Sequence, residues 1–473
     1  MTATPATSMN PLRHRASESH GSATHPAADT DTPQPETNAA TTIPFGREMR
    51  RLFNFAPGYT PLNHGSFGTI PRAVLEHRFQ ILRDWEAREC VYNLLTYPAK
   101  LAASRAAVAP FLGADPGEVV LATNATSATN TVLRNLKFEA DDVIVYPETV
   151  YGACRKTVQS LEEMTPVRGV EIPVVYPVED DELVEMFRDA VKGLREQGKN
   201  VRVAIFDTIA SRPGVRVPWE RIVGVCREMG VLSLIDGAHG IGHIDLTHVG
   251  EVKPDFFVTN CHKWLFTPRG SAVLYVPFAN QYLLTTNLPT SHGYLDPVTR
   301  QSKASSQYFA DLFTFNATTD VTPHLAIPEA IRFRRDLCGG EPAIREYCAK
   351  LAREGGDRAA LLLGTEVMDN KSGSLRAGCA FANIRLPLKI IDDEDEDEEG
   401  VPRAEVDRMI GWFYDTTARD FDTYLQTFYY AGAVWTRLSA QVYLDVKDFE
   451  WAAGTIKELC VRVRRGEWRT WGS

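Results

Sequence analysis

The chain lacks any apolar run approaching the roughly 20 residues of a membrane-crossing helix, so no membrane partner is expected. Its eight cysteines (Cys90, Cys154, Cys226, Cys261, Cys338, Cys348, Cys379, Cys460) include no C-x-x-C and no zinc-like pairing. That scatter excludes a disulfide framework or a zinc module, implies no metal, and fits reduced thiols in a cytoplasmic protein. Positive charge is not in excess: the net charge is −10, and the eight acids of 392–399 supply most of it. No basic surface is implied, so nucleic acid is not an expected partner. Residues 1–43 are poor in apolar side chains and read as a disordered tail. They lack the apolar stretch of a secretory signal, and Glu18, Asp29, Asp31 and Glu36 argue against a transit peptide.

What is present is enough apolar residue, 44% of 473 positions, to bury a large core and a second, smaller one. From Glu118 the pattern alternates short apolar runs (VVLAT, VIVY, EIPVVYP, VRVAIFD, LSLID, DFFVT) with amphipathic helical stretches such as DDELVEMFRDAVKGLREQ and PWERIVGVCREMG. Such alternation predicts an α/β fold with a mostly parallel sheet and right-handed crossovers. SAVLYVP follows a tight turn and is expected to pair antiparallel. The large domain is expected to span 44–325. A smaller α+β domain is expected at 326–473, with strands near CAFANIRLP, TYLQTFYY and VWTRLSA and the acidic run 392–399 as a solvated loop.

The stretch that organises the rest is VLSLIDGAHGIGHIDLTHVGEVKPDFFVTNCHKWLFTPRGSAVL, Val231 to Leu274. One predicted strand ends at Asp236, and the turn after another carries His262 and Lys263. In an open α/β sheet both ends lie on the ligand-binding rim. A lone aspartate there is more often a cap, and a lone lysine a solvated charge. Together they suit pyridoxal phosphate (PLP), whose aldehyde condenses with an amine while a carboxylate holds its ring nitrogen protonated. LATNATSATNTVLRNL adds a helix start with hydroxyls beside it, which suits a phosphate as well as an ordinary helix cap.

Asp236-Gly237-Ala238-His239 followed by His262-Lys263 resembles the aminotransferase class V family, PLP-dependent enzymes of fold type I. LNHGSFGTIP, SRPGVRVP, NCHKWLFTPRG and RLSAQVYL look most like its isopenicillin N epimerase-like subgroup. This subgroup includes a fungal ergothioneine C–S lyase and a Mannich-type cyclase of loline alkaloid biosynthesis. The resemblance implies a seven-stranded type of sheet and a homodimer. It implies that Lys263 is the Schiff-base lysine, Asp236 the partner of the ring nitrogen, and Tyr151 the ring-stacking residue, with its hydroxyl a candidate proton donor. Ala125, Thr126 and His262 are implied at the phosphate, with Asn260 where relatives often carry Ser. Ser211 (or Ala210) and His239 are implied near the phenolic oxygen, and Thr318 reaches the partner subunit's phosphate. There Ala317 replaces a frequent Gly. His64 and Arg437 are implied at the substrate, the arginine gripping its carboxylate as a bidentate donor.

The reaction implied is formation of an external aldimine and a Cα quinonoid from a small α-amino acid. A specialised-metabolism cyclisation or elimination would follow, with C–S cleavage, epimerisation or transamination as alternatives. In the lyase a cysteine is expected just before the Ile-Pro of EIPVVYP, where this chain has Glu171. A catalytically idle scaffold would be expected to lose Lys263 or Asp236, and both are present.

Overall fold

Residues 42–303, 307–391 and 400–472 are described by the structure, a computed structural model. The acidic run and nearly all of the expected tail lie outside those residues. Seven strands form the main sheet: β1 (Val119–Ala122), β2 (Asp142–Pro147), β3 (Arg168–Ile172), β4 (Asn200–Asp207), β5 (Leu232–Asp236), β6 (Phe256–Asn260) and β7 (Ala272–Tyr275). Their order is β1-β7-β6-β5-β4-β2-β3. Neighbours from β3 to β6 are parallel, whereas β7 runs antiparallel to both β6 and β1, as the SAVLYVP run predicts.

Because side chains alternate across a strand, each strand feeds two cores. Val143, Val145, Phe206, Ile235 and Phe257 pack on one face, and Ile144, Val203, Leu234, Phe256 and Val258 on the other. The first face is covered partly by the helix Asp180–Glu196, which buries Leu183, Val184, Phe187 and Val191 on one stripe. Each such side chain contributes about 1.5–3 kcal/mol on burial. The second face is covered by the helices Ala125–Asn135 and Gly152–Met164.

One expected strand is shifted. The pattern of EIPVVYP predicts a single strand, but β3 starts at Arg168 and stops at Ile172. Pro173 has no N–H to continue the ladder, so the strand takes the preceding residues instead.

Beyond the helix Ile327–Cys338 lies a second, three-stranded antiparallel sheet, ordered β11-β12-β8. It comprises β8 (Phe381–Arg385), β11 (Gln426–Tyr430) and β12 (Ala433–Ser439). Two short parallel strands, β9 (Ile390–Ile391) and β10 (Val401–Pro402), flank positions 392–399. The helices Glu341–Leu363 and Val446–Arg464 pack together closely enough that a Cβ on Gly355 would stand 2.6 Å from the Phe449 ring. Among the described residues no helix is long and apolar enough to cross a membrane.

Candidate active site

The carboxyl ends of β4, β5 and β6 deliver Asp207, Asp236 and Asn260 to one rim. Directly after β6 a one-turn helix, Cys261–Trp264, turns Lys263 back over it. These residues line a cavity of about 190 Å³ together with Ser66, Thr126, Tyr151, Ser211, His239 and His262. Lys263 and Asp236 therefore share one enclosure, as the spacing of their two strands predicts.

Burial sets the chemistry of both groups. It lowers the Lys263 amine to about 8, offset in part by Asp236, so a reactive neutral fraction exists near neutral pH. Asp236 is pushed upward by burial but is held toward its ionised form by the Ala238 N–H, 2.9 Å from Oδ1. The Cys154 thiol lies 3.4 Å from Oδ2. His239 Nδ1 accepts from Trp264 Nε1 at 3.4 Å, and burial keeps the ring neutral. The proton therefore sits on Nε2, 3.4 Å from Lys263 Nζ.

The phosphate end differs in detail from expectation. Ala125 opens the helix, but its N–H donates to Asn260 Oδ1 at 2.8 Å rather than facing the cavity. Asn260 thus pins the helix start to β6, a contact its longer amide permits where Ser would fall short. Asn124 caps the Ser127 N–H at 2.8 Å. Thr126, left between them on the cavity wall, makes no described hydrogen bond with its N–H or hydroxyl. His262, half-buried, bonds Ser271 O through Nδ1 at 3.0 Å, leaving Nε2 toward the cavity. Burial lowers it to about 4, so the ring is neutral with its proton on Nδ1, and Nε2 presents a lone pair there as an acceptor.

The His64 ring, expected at the substrate, is buried against the lysine turn. Its Nε2 donates to Lys263 O at 2.6 Å, and Nδ1 receives the Tyr443 hydroxyl at 2.8 Å. Both nitrogens are occupied, so His64 positions the lysine backbone. Gly68, in the same segment, has φ +65°, and a Cβ there would stand 1.9 Å from His262 O. The Asn63–Gly68 segment is therefore shaped to fit against the lysine turn.

Arg437, on β12, is 1% exposed and has no carboxylate partner among the described residues. Its guanidinium donates to Ser211 O (2.5 Å), Ser66 Oγ (3.2 Å) and Asn63 Oδ1 (3.4 Å), and lies 4.3 Å over the Phe381 ring. Nε has no partner. Burial and the nearby Arg212 lower it to about 10. A buried cation without a counter-charge suits an incoming carboxylate. Tyr151, half exposed, begins the helix Gly152–Met164 at the cavity mouth. Thr318 is exposed and lies off the cavity wall, and Ala317 before it takes φ +61°, a backbone that glycine adopts more readily.

Sequence reading missed three contributors. Asp207 was legible only as the end of an apolar strand, although its level with Asp236 follows from the parallel register. Cys154 comes in from a helix. Arg334, 1% exposed, bonds Trp264 O at 2.6 Å and Gly242 O at 2.9 Å, and pairs with Glu341 at 2.5 and 2.6 Å. It ties the lysine turn to the helix Ile327–Cys338.

The residues fit pyridoxal phosphate: an amine and a carboxyl in one cavity, with an unpartnered helix-start amide and hydroxyl at Thr126 for the phosphate. Fold and site together define a PLP-dependent enzyme of fold type I, whose cofactor is pyridoxal 5′-phosphate. Residues 69–372 match the family model for aminotransferase class V. The L-cysteine desulfhydrase-like protein lolT1 of Epichloe uncinata is 37% identical over 90% of this chain and 98% of the relative. The hercynylcysteine sulfoxide lyase of Schizosaccharomyces pombe is 30% identical over 88% and 98%. Among solved structures, the apo cysteine desulfurase from Thermococcus onnurineus NA1 superposes with a TM-score of 0.67, covering 89% of this chain and 99% of that one at 16% identity. The chain belongs to the aminotransferase class V family.

Proposed function

We propose that this enzyme takes a small α-amino acid bearing a modifiable side chain and removes its Cα proton. It then forms or breaks a further bond, by Mannich-type ring closure or a related elimination, in cytoplasmic specialised metabolism. The observation that carries the reading is the enclosure of Lys263 and Asp236 in one buried cavity, with the unpaired Arg437 against two of its wall residues, Ser66 and Ser211. When bound, pyridoxal phosphate supplies the electron sink that takes up the electron pair left at Cα.

This chain's residues do the rest. Arg437 grips the substrate carboxylate. The Lys263 amine, lowered to about 8, accepts the Cα proton in its neutral form. His239 holds its Nε2 proton beside that amine. Tyr151, on the cavity wall, would cover the cofactor and exclude water. A homodimer completes the account, with Thr318 reaching the partner's phosphate.

The relatives keep elimination in view, since desulfhydrase and sulfoxide lyase both name C–S cleavage. Against direct transfer of the sulfoxide lyase reaction stands Glu171. Where the lyase is expected to carry a cysteine, this carboxylate is paired with Arg155 at 2.8 Å. Incubation with candidate amino acids in deuterated water, followed by mass spectrometry, tests the reading. Deuterium at Cα together with a ring-closed or eliminated product supports it. Absence of exchange with every candidate overturns it, and exchange that yields only the enantiomer makes the enzyme an epimerase.

A further inference from the structure

The cavity holds two carboxyls where the proposed chemistry uses one. Asp207 ends β4 and Asp236 ends β5, and the parallel register sets them side by side. Both are buried, at 5% and 3% exposure, and both line the cavity. Their surroundings differ. Asp236 accepts the Ala238 N–H and stands beside the Cys154 thiol, whereas the Asp207 carboxyl has no described hydrogen-bond donor. The groups that face Asp207 are Asp236 from β5, Lys263 from the turn after β6, Cys154 from the helix Gly152–Met164, and Tyr176 from the loop after β3. Lys263 is the only cation among them.

Two carboxylates this close and this dry cannot both ionise against one cation. The donor at Asp236 decides which keeps its charge, because a hydrogen bond to the charged form favours ionisation. Burial and the neighbouring Asp236 both push Asp207 far above the carboxylate range.

We propose that Asp207 is a positioning residue of the cofactor site, held as the uncharged acid beside an ionised Asp236. The cavity then carries a single carboxylate charge when the cofactor's phosphate enters. A permanently ionised Asp207 would set a second negative charge against that phosphate and against the substrate carboxylate. It would also raise the basicity of Asp236 until Asp236 took a proton and ceased to be an anionic partner for the ring nitrogen. The inference rests on the PLP reading of the cavity.

Infrared spectroscopy of the holoenzyme near neutral pH tests it directly. The native protein should show a carboxylic-acid C=O band that shifts in deuterated water and is lost in Asp207→Asn. It should be lost in Asp236→Asn as well, since the neighbouring anion that holds the proton on Asp207 is then gone. A band that survives either substitution overturns the proposal. Should Asp207→Asn fail to fold, the native protein and Asp236→Asn still decide the matter.

The second readout is cofactor affinity measured as a function of pH. Native affinity should fall relative to Asp207→Asn as pH rises through the ionisation of Asp207, because the asparagine never acquires charge. A ratio constant with pH contradicts the proposal. If the protein takes up no pyridoxal phosphate at all, the proposed function fails, while the infrared band still reports whether Asp207 holds a proton.

Discussion

Two buried arginines in this molecule, Arg334 and Arg437, are each 1% exposed, and each lies over a phenylalanine, at 4.8 Å for Phe266 and 4.3 Å for Phe381. They are otherwise opposites. Arg334 meets Glu341 through two hydrogen bonds and closes on two backbone carbonyls, and the carboxylate raises its guanidinium against the cost of burial. Arg437 is met by a carbonyl, a hydroxyl and an amide oxygen, has one N–H unpartnered, and is lowered to about 10. One charge is satisfied by the fold. The other has no counter-charge among the described residues, and the proposed function assigns it to the substrate carboxylate.

Substitution should separate them. Arg334→Ala leaves Glu341 and two carbonyls without their donor and should lower folding stability by about 3–5 kcal/mol in denaturant titration. Arg437→Ala loses three hydrogen bonds but also removes a buried charge that lacks a counter-charge, and should lower stability by less than Arg334→Ala does. Equal losses would erase the distinction. In kinetics the order reverses: Arg437→Ala should cost about 2–5 kcal/mol of substrate binding, seen mainly as a raised KM. Arg437→Lys should recover little, because a point charge does not replace the planar fork.

A pH series sharpens the contrast further. Cofactor uptake by the apoprotein requires the neutral Lys263 amine, so its rate should rise with pH through a midpoint near 8. Arg437 is among the charges that lower Lys263, so Arg437→Gln should move that midpoint upward. Arg334 is not among them, and a conservative Arg334→Lys should leave the midpoint in place. The smallest effect belongs to Tyr443→Phe. It removes the 2.8 Å bond to His64 Nδ1 and should cost about 1 kcal/mol of stability.

Much of this was legible in the sequence. Alternating apolar runs and amphipathic stretches fixed the parallel sheet, and the tight turn before SAVLYVP fixed the antiparallel strand β7. Asp236 and Lys263 were legible because strand ends in such a sheet share a rim. What the sequence hid is which donor meets which acceptor. His64 looks like a substrate contact until its two nitrogens are seen bonded to Lys263 O and Tyr443. Ala125 looks like a phosphate amide until Asn260 is found on it. Arg334 and Arg437 are indistinguishable as letters, since their partners lie 7 to 92 residues away in one case and 226 to 374 in the other. Asp207 escaped notice because a strand-terminal aspartate is commonplace until register pairs it with another.

Lys263 is expected to be the amine that carries pyridoxal phosphate. Borohydride reduction of the purified holoprotein, followed by proteolysis and mass spectrometry, should place a single pyridoxyl group on the peptide containing Lys263, and Lys263→Ala should abolish it together with the yellow colour. A pyridoxyl group on another lysine, or none on a cofactor-saturated protein, would contradict it.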